Sequence, residues 1–600
     1  MKNMLENSNN FKDTSIYSGL CDKNMYKRFL EGERNPNYFL RDRIYGRMRV
    51  YYDGIEEYIY KDEYDIYMKM EDITEELSKK NFTKVKKEVE DFLNKNANNN
   101  ILKQYALDIQ GRIFYENNEI WNAMCKFKEA LMCTIPKITI ANIKKISLSV
   151  EEIYLYARYI ECVICCSDIE DREIIKSLEL LIDKAENSGF NKVQIAKIYP
   201  LLSLIYLKAT RIWNIDMLSK ETSDMQIKKS LKILRDSHRG YYLIDVLDNY
   251  LEIKEKTNNN ISSELNEDAI NYELLRDCLK EIYLKYNIDC NFNLDTYIHN
   301  NHFVYEIGGI IRSRRQALNL TQEELAKDIC TKKTIVRIEN GQGRIQDFAF
   351  KKIFEKLKLY DGHIRGAIVM EKPELVFDAS FLGNGDKLID EDSFDKIMSD
   401  IDKKYSINKQ TLIRIASERL LARGQIDIDH HIRNLEKALE QTINIEDIVD
   451  QRVFLSKYEL TCIYLIAYYK QRENKKIDEN DFYKILRDLY VNMGEREARK
   501  NSAMYEMVLT WLSSIYGNCG RYEESDNLAD NVIKTSLIER RLQGLETNIY
   551  SILWNRLHDK RTLLIEEKNE LENLAVIAKY NKNNSNAECI QKFVYDHNLE

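Results

Sequence analysis

The chain has 600 residues, enough for three to five structural units at about 100–200 residues each, and its 44% hydrophobic content excludes wholesale disorder. With 4 Pro and 20 Gly it is too poor in turn-forming residues for an all-β protein and reads as nearly all helix. A net charge of −8 argues against a uniformly basic surface that coats nucleic acid. No apolar run approaches the ~20 residues of a membrane span. The best, such as Ile198–Ala209, stop near a dozen. The chain opens on Met1-Lys2-Asn3 without a basic-then-apolar leader, so a cytoplasmic location with no membrane contact is expected.

Twelve cysteines, irregularly spaced, do not form the framework of a small secreted scaffold. Cys162, Cys165 and Cys166 lie in the apolar stretch Tyr154–Ile169 with no fourth ligand nearby, which predicts buried free thiols. His430 and His431 beside Asp427 and Asp429 read as a solvated loop or helix start, because adjacent residues on a helix face different ways. No metal, cofactor or catalytic residue is expected. There is no G-x-x-x-x-G-K loop, no H-E-x-x-H and no glycine fingerprint after a strand.

In chain order, residues 1–50 take their meaning from a later segment. Residues 51–300 read as paired helices. In Ile101–Met132, Gly111, Phe114, Ala123, Phe127 and Ala130 fall at tetratricopeptide spacing, where small residues let two helices approach and aromatics fill the gap. Weaker helix pairs lie at Ile153–Asn187 and Val193–Thr222. The polar stretch Lys256–Ser263 predicts a linker.

Residues 301–361 differ in charge. Glu306–Lys358 holds twelve Lys/Arg against seven Asp/Glu, a net +5 inside a chain whose remainder carries −13. Ile307, Ile310, Ile311 and Leu318 recur at helical spacing. Thr321 and Glu324 form a capping box for a second helix whose inner face is Leu325, Ala326 and Ile329. After a turn at Cys330–Thr331, Thr331 caps a helix over Lys332–Glu339, with Ile335, Val336 and Ile338 apolar, and Gly341 ends it. A fourth helix is predicted near Asp347–Lys358 with Phe348, Ile353, Phe354 and Leu357 facing in.

This segment resembles the helix-turn-helix domain of the Cro and phage-repressor type (the XRE family). The carrying residues are Ile307, Arg312, Leu320-Thr321-Gln322-Glu323-Glu324-Leu325-Ala326 and Arg337-Ile338-Glu339-Asn340-Gly341. Ala326 suits a helix crossing, where a large side chain would force the helices apart. The turn, Asp328-Ile329-Cys330-Thr331, is one residue shorter than in phage repressors. It is similar to the turn of cytoplasmic peptide-pheromone receptors of Gram-positive bacteria, which join such a domain to tetratricopeptide-like repeats. Ile345 stands near the place of the family's usual Pro. The resemblance implies that the third helix enters the major groove of double-stranded DNA. Thr331, Lys332, Lys333 and Thr334 would then face base edges, with Arg337 one turn on. It implies that Gln322 clamps a phosphate, with Arg312, Arg315 and Asn340 as further phosphate contacts.

A shift of 309 residues pairs Cys21 with Cys330, Arg28 with Arg337, Gly32 with Gly341, Phe39 with Phe348 and Ile44 with Ile353. Residues 1–50 thus look like a degenerate second copy, one that keeps Pro36. In it Tyr17 replaces Ala326, Asp13 replaces Gln322, and Asn3 and Glu6 replace Arg312 and Arg315. A structural cap or dimer contact is expected there, although Tyr26, Lys27, Arg28 and Arg34 keep DNA contact open.

Residues 362–600 again predict tetratricopeptide-like repeats. A linker is expected at Phe381–Ser393, a helix pair at Leu412–Thr442, and a good match over Tyr505–Ile533 with Leu512, Tyr516, Gly520, Tyr522, Ser525, Ala529 and Val532. Asn581–Asn586 precedes a final helix. The expected fold is therefore all-α, with a helix-turn-helix DNA-binding domain in mid-chain between two tetratricopeptide-like helical solenoids. The expected function is a sequence-specific, DNA-binding transcriptional regulator. The family resemblance implies a homodimer, with a short signalling peptide or a partner protein in the solenoid groove. Peptide binding would change the spacing of the paired DNA domains. The competing reading is a tetratricopeptide-like interaction scaffold whose helix-turn-helix module serves docking.

Overall fold

In the computed structural model the described residues are 13–31, 33–49, 56–167, 170–214, 217–256, 270–290, 296–299, 304–359, 364–365, 391–401, 403–444, 446, 454–473, 481–491, 493–494, 498, 502–559 and 565–596. The linkers expected within Lys256–Ser263 and Phe381–Ser393 lie outside them except at their ends, as do Asn3, Glu6 and Gly32. Among the described residues the fold is α-helical, with one small sheet. Among the described residues no helix is long and apolar enough to cross a membrane.

The chain divides into two compact units that do not follow chain order. One gathers described residues of 54–69 and 301–508, and the other those of 10–53, 70–300 and 509–600.

The larger unit is built of successive packed helices. The pair Asn100–Glu116 and Ile120–Met132 follows the tetratricopeptide logic of its sequence. A Cβ on Gly111 would sit 2.7 Å from the Phe127 ring, so only glycine lets these helices meet. Further helices follow at Val150–Cys166, Arg172–Asn187, Lys192–Ile212, Met217–Ser237, Leu243–Lys256 and Tyr272–Lys285. The helices Tyr522–Ile538, Leu545–His558, Ile565–Tyr580 and Asn584–Asp596 belong to the same unit. Of the three clustered cysteines only Cys162 is buried; Cys165 and Cys166 are exposed, because they end the helix Val150–Cys166 past its packed face.

The short helices Asp13–Tyr17, Lys23–Leu30 and Tyr38–Met48 also belong to this unit. Asp22 and Asn37 cap the second and third, accepting from the Met25 and Leu40 amides at 2.9 Å. Arg47 is fully buried. Its guanidinium meets Glu152 at 2.6 Å and donates to the Ile16, Ser18 and Thr134 carbonyls. Burial pushes the Glu152 carboxyl up, but Arg47 outweighs it and holds the group down at about 2.

The smaller unit holds three short strands, which composition did not predict. Strand β1 (Glu56–Ile59) lies between β2 (Val304–Glu306) and β3 (Ile364–Arg365), parallel to the first and antiparallel to the second. Tyr58 is fully buried, with Phe354 5.2 Å and Phe454 6.3 Å from its ring. The sheet thereby closes one side of the mid-chain module. The helices Ser406–Ala422, Ile428–Leu439, Lys457–Glu473 and Asp481–Tyr490 follow. Asp427 caps the second of these through the His430 amide at 2.7 Å. The expected helix start forms here, but His431 is not solvated. It is buried, with Nδ1 2.7 Å from Ser417 Oγ, and burial lowers its pKa to about 4.

Candidate nucleic-acid interface

Four helices make the mid-chain module: α1 (Ile307–Ala317), α2 (Gln322–Ala326), α3 (Lys332–Glu339) and α4 (Asp347–Lys356). Strand β2 runs straight into α1. Glu306 caps that helix by accepting from the Gly308 and Gly309 amides at 2.7 and 2.6 Å. A Cβ on Gly308 would fall 2.2 Å from the Ile338 carbonyl oxygen, so glycine lets α1 rest on the end of α3. The core is Ile307, Ile310, Ile311, Leu325, Ala326, Ile335, Ile338, Ile353 and Phe354.

The capping box forms as its sequence requires: the Glu324 amide donates to Thr321 Oγ1 at 3.1 Å, and the Thr321 amide to Glu324 Oε2 at 2.7 Å. The bond from the Thr321 backbone holds the Glu324 carboxyl below its usual range. Helix α2 ends at Ala326, short of the expected Ile329. Lys327 turns extended and Asp328 adopts the left-handed region with φ +65°, a conformation that Asp tolerates. Ile329 still packs on the core from the turn.

Helix α3 has the bounds expected from its caps. Thr331 accepts from the Thr334 amide at 3.2 Å. At the other end Gly341 takes φ +70°, and the Gln342 amide reaches back to the Arg337 carbonyl at 2.7 Å. Helix α4 buries Ile353, Phe354 and the following Leu357 as expected, but not Phe348. Phe348 is 64% exposed, whereas Ala349 and Phe350 are buried. The Lys352 ammonium lies 4.5 Å from the Phe348 ring centroid.

The nine residues singled out from sequence fall into two groups. Thr331, Lys332, Lys333 and Arg337 are exposed on α3 and its N-cap. Thr334 is half-buried, its hydroxyl 2.9 Å from that of Thr331. Lys332 pairs with Glu323, which lowers the Glu323 carboxyl. Lys333 and Arg337 make no ion pair among the described residues.

Arg312, Arg315, Gln322 and Asn340 gather instead around the C-terminal end of α3. Arg315 donates to both Glu339 carboxylate oxygens, at 2.6 and 3.2 Å, and to the Leu320 carbonyl at 2.8 Å. Gln322 Nε2 donates to Glu339 Oε2 at 2.8 Å. Arg312 donates to the Glu339 carbonyl and to Asn340 Oδ1. Glu339, buried at the centre of this cluster, entered the sequence reading only as part of the Arg337–Gly341 motif and not as a site residue. Its partners come from other helices, so no periodicity marks it. Exposed Lys351, Lys352 and Lys356 on α4 were likewise passed over.

Arg314 is a further missed residue. On the inner face of α1 it is fully buried, 2.7 Å from a buried Glu459 and 3.0 Å from the Thr442 carbonyl. Its charge serves the fold and is not offered to solvent.

No curated protein sequence matches the chain. Among solved structures, one similar chain is the Bacillus thuringiensis PlcR in the crystal structure of its complex with the peptide PapR7 and DNA. It shows 17% identity and a TM-score of 0.28, over 47% of this chain and 98% of that one. Residues 311–361 match the protein-family model for Helix-turn-helix (HTH_3). The mid-chain module is thus a helix-turn-helix domain of the XRE type.

Proposed function

We propose that the chain is a sequence-specific, DNA-binding transcriptional regulator whose helical repeats respond to a bound signal. The observation that carries this is the exposed N-terminal half of α3. There Thr331, Lys332 and Lys333, with Arg337 one turn on, stand clear of the core on a correctly capped second helix-turn-helix element. A helix presented this way places its first residues against base edges in the major groove. Lysine addresses guanine acceptors there, and a threonine hydroxyl can contact several base edges. Double-stranded DNA is the partner, and a short signalling peptide held by the helical repeats is the signal.

Arg315 and Gln322 are both held by Glu339, which also favours a second reading, a module kept for protein docking. One experiment separates the two. The full chain is titrated against genomic fragments, its own upstream region included, at several salt concentrations. Specific binding with a steep salt dependence is expected. Changing Lys332 and Lys333 together to Ala is expected to remove the specific component while circular dichroism stays unchanged. Equal affinity for all fragments, insensitive to the double change, would favour docking.

A further inference from the structure

The 309-residue shift found at the N-terminus continues into the fold. Helices Asp13–Tyr17, Lys23–Leu30 and Tyr38–Met48 each begin 309 residues before α2, α3 and α4, and the first two have the same lengths as their counterparts. Beyond them the same polar socket occurs twice. In the larger unit Gln104 Nε2 donates to Thr134 Oγ1 at 2.9 Å, and Ser149 and Glu152 form a capping box. In the smaller unit Gln410 Nε2 donates to Thr442 Oγ1 at 3.0 Å, and Ser456 and Glu459 exchange the same two bonds. Each socket seals one fully buried arginine on its glutamate, Arg47 at 2.6 Å and Arg314 at 2.7 Å. The i,i+4 pair beside each socket is charge-reversed, Asp108 with Arg112 in one and Arg414 with Glu418 in the other. Drift can reverse a pair in this way only if both partners change together.

The last helices meet their own counterparts. The loop between Met217–Ser237 and Leu243–Lys256 matches the loop between Tyr522–Ile538 and Leu545–His558. His238 and Arg540 hold the equivalent left-handed positions, both at φ +53°. These loops pair with each other. Arg239 bridges Arg541 antiparallel, the Gly240 amide donates to the Arg540 carbonyl at 2.7 Å, and the Leu542 amide donates to the His238 carbonyl at 3.0 Å. Residue i of one loop bonds residue j of the other, and j's counterpart bonds i's, which is the signature of an isologous, two-fold contact. Ile244, Leu247, Leu275 and Leu279 share one core with Leu545, Ile549, Leu574 and Ile577 across this seam.

We propose that the chain is a tandem of two regulator-like halves joined by an internal pseudo-two-fold seam, so that a single chain binds DNA and selects one non-palindromic element. A two-fold dimer of identical chains reads a palindrome because both reading helices are the same. Here they differ. The first copy presents Lys23, Asn24, Lys27 and Arg28 to solvent, but Lys27 and Arg28 lie 3.6 and 3.5 Å from Glu31 and Glu33. Leu30 stands where α3 has Glu339, an apolar side chain in place of the carboxylate that holds Arg315. Only α3 reads bases.

This rests on the DNA-binding reading, and the test keeps the two apart. The mass of the free full-length protein is measured by light scattering across concentrations, and the DNA sequence it selects from a random pool is determined. A single-chain mass and one non-palindromic element are expected, with one chain per duplex in the complex. A free dimer, or a selected palindrome, overturns the tandem proposal. If no DNA is selected, the regulator reading falls and the mass alone judges the seam. Replacing Lys23, Lys27 and Arg28 together with Ala is expected to leave the selected element unchanged. An altered element would make the first copy a second reader and overturn the asymmetry.

Discussion

The N-terminal segment Asp13–Met48 and the helix-turn-helix module differ less in backbone than in what they expose. Both have a five-residue helix followed by an eight-residue helix, capped by Asp22 in one and Thr331 in the other. Between the crossing helices, however, the first segment carries Tyr17, its ring tilted against that of Tyr26 with centroids 5.1 Å apart, where the second has Ala326 against α3. The first also buries Arg47 on the carbonyls of Ile16 and Ser18, at the end of its opening helix. The second buries Arg314 and gathers Arg312 and Arg315 at the C-terminal end of α3, where they meet Glu339. Caps and apolar spacing preserve a helix pattern through extensive drift, whereas recognition depends on a handful of exposed positions that drift erases first.

The comparison breaks most severely at the sockets. Removing Glu459 leaves Arg314 charged and buried, and Glu152 stands in the same relation to Arg47. Loss of one partner of a buried pair costs about 3–5 kcal/mol. Glu459→Ala and Glu152→Ala are therefore expected to produce similarly large drops in melting temperature, each in a different unit, resolved by calorimetry of the full chain. A small effect of either would mean that water reaches its arginine.

Exchanging the crossing residue sharpens the contrast further. Ala326→Tyr installs the first copy's side chain between α2 and α3. Overpacking of this kind costs about 1–3 kcal/mol, and it tilts α3 out of register with the groove. Specific binding is expected to fall more than stability. Equal wild-type binding would show that the crossing tolerates a ring and that Tyr17 did not disable the first copy.

His431 offers a milder contrast, because the matching position in the other socket region is the buried Ala123. Burial depresses His431 to about 4, so the folded protein resists a proton that the unfolded chain takes up near 6.5. Its contribution to stability is complete above pH 6.5 and is lost progressively as pH falls from 6.5 towards 4. Calorimetry across that window should show a shallower decline for His431→Ala than for the parent chain. Parallel declines would assign the acid sensitivity to other groups.

What could be read in advance was local. Thr331, Gly341 and the Thr321–Glu324 box set the bounds of α3 and the start of α2 because each acts within one turn of its own chain. The glycine and aromatic spacing of Ile101–Met132 likewise sufficed for that helix pair. Ile353, Phe354 and Leu357 were placed inward correctly, but Phe348 was not, because Phe348 and Phe350 both suit an apolar stripe and only the surrounding core selects Phe350. Strand β1 was unreadable, since its partners Val304 and Ile364 are far away in the chain and four residues carry little pattern. Arg314 and Arg315 are adjacent and chemically identical. One is sealed on Glu459 and the other held by Glu339, a distinction that exists only in three dimensions.

Glu339 tests the finest difference between the copies, since Leu30 holds its place in the first. Its carboxylate is almost fully buried, accepts from Arg315 and Gln322, and so cancels one positive charge beside α3. Glu339→Gln keeps the shape but turns one acceptor into an amide that faces donors. A cost of about 1–2 kcal/mol is expected, as for a buried group left without its hydrogen bond. The guanidinium of Arg315 would then be free to reach a phosphate, as would Gln322. Non-specific DNA affinity is expected to rise modestly at low salt, and the plot of log affinity against log salt to steepen by about one unit, the release of roughly one further counterion. An unchanged slope in a folded variant would place Arg315 away from the phosphate track and leave that track to Arg312, Lys351 and Lys352.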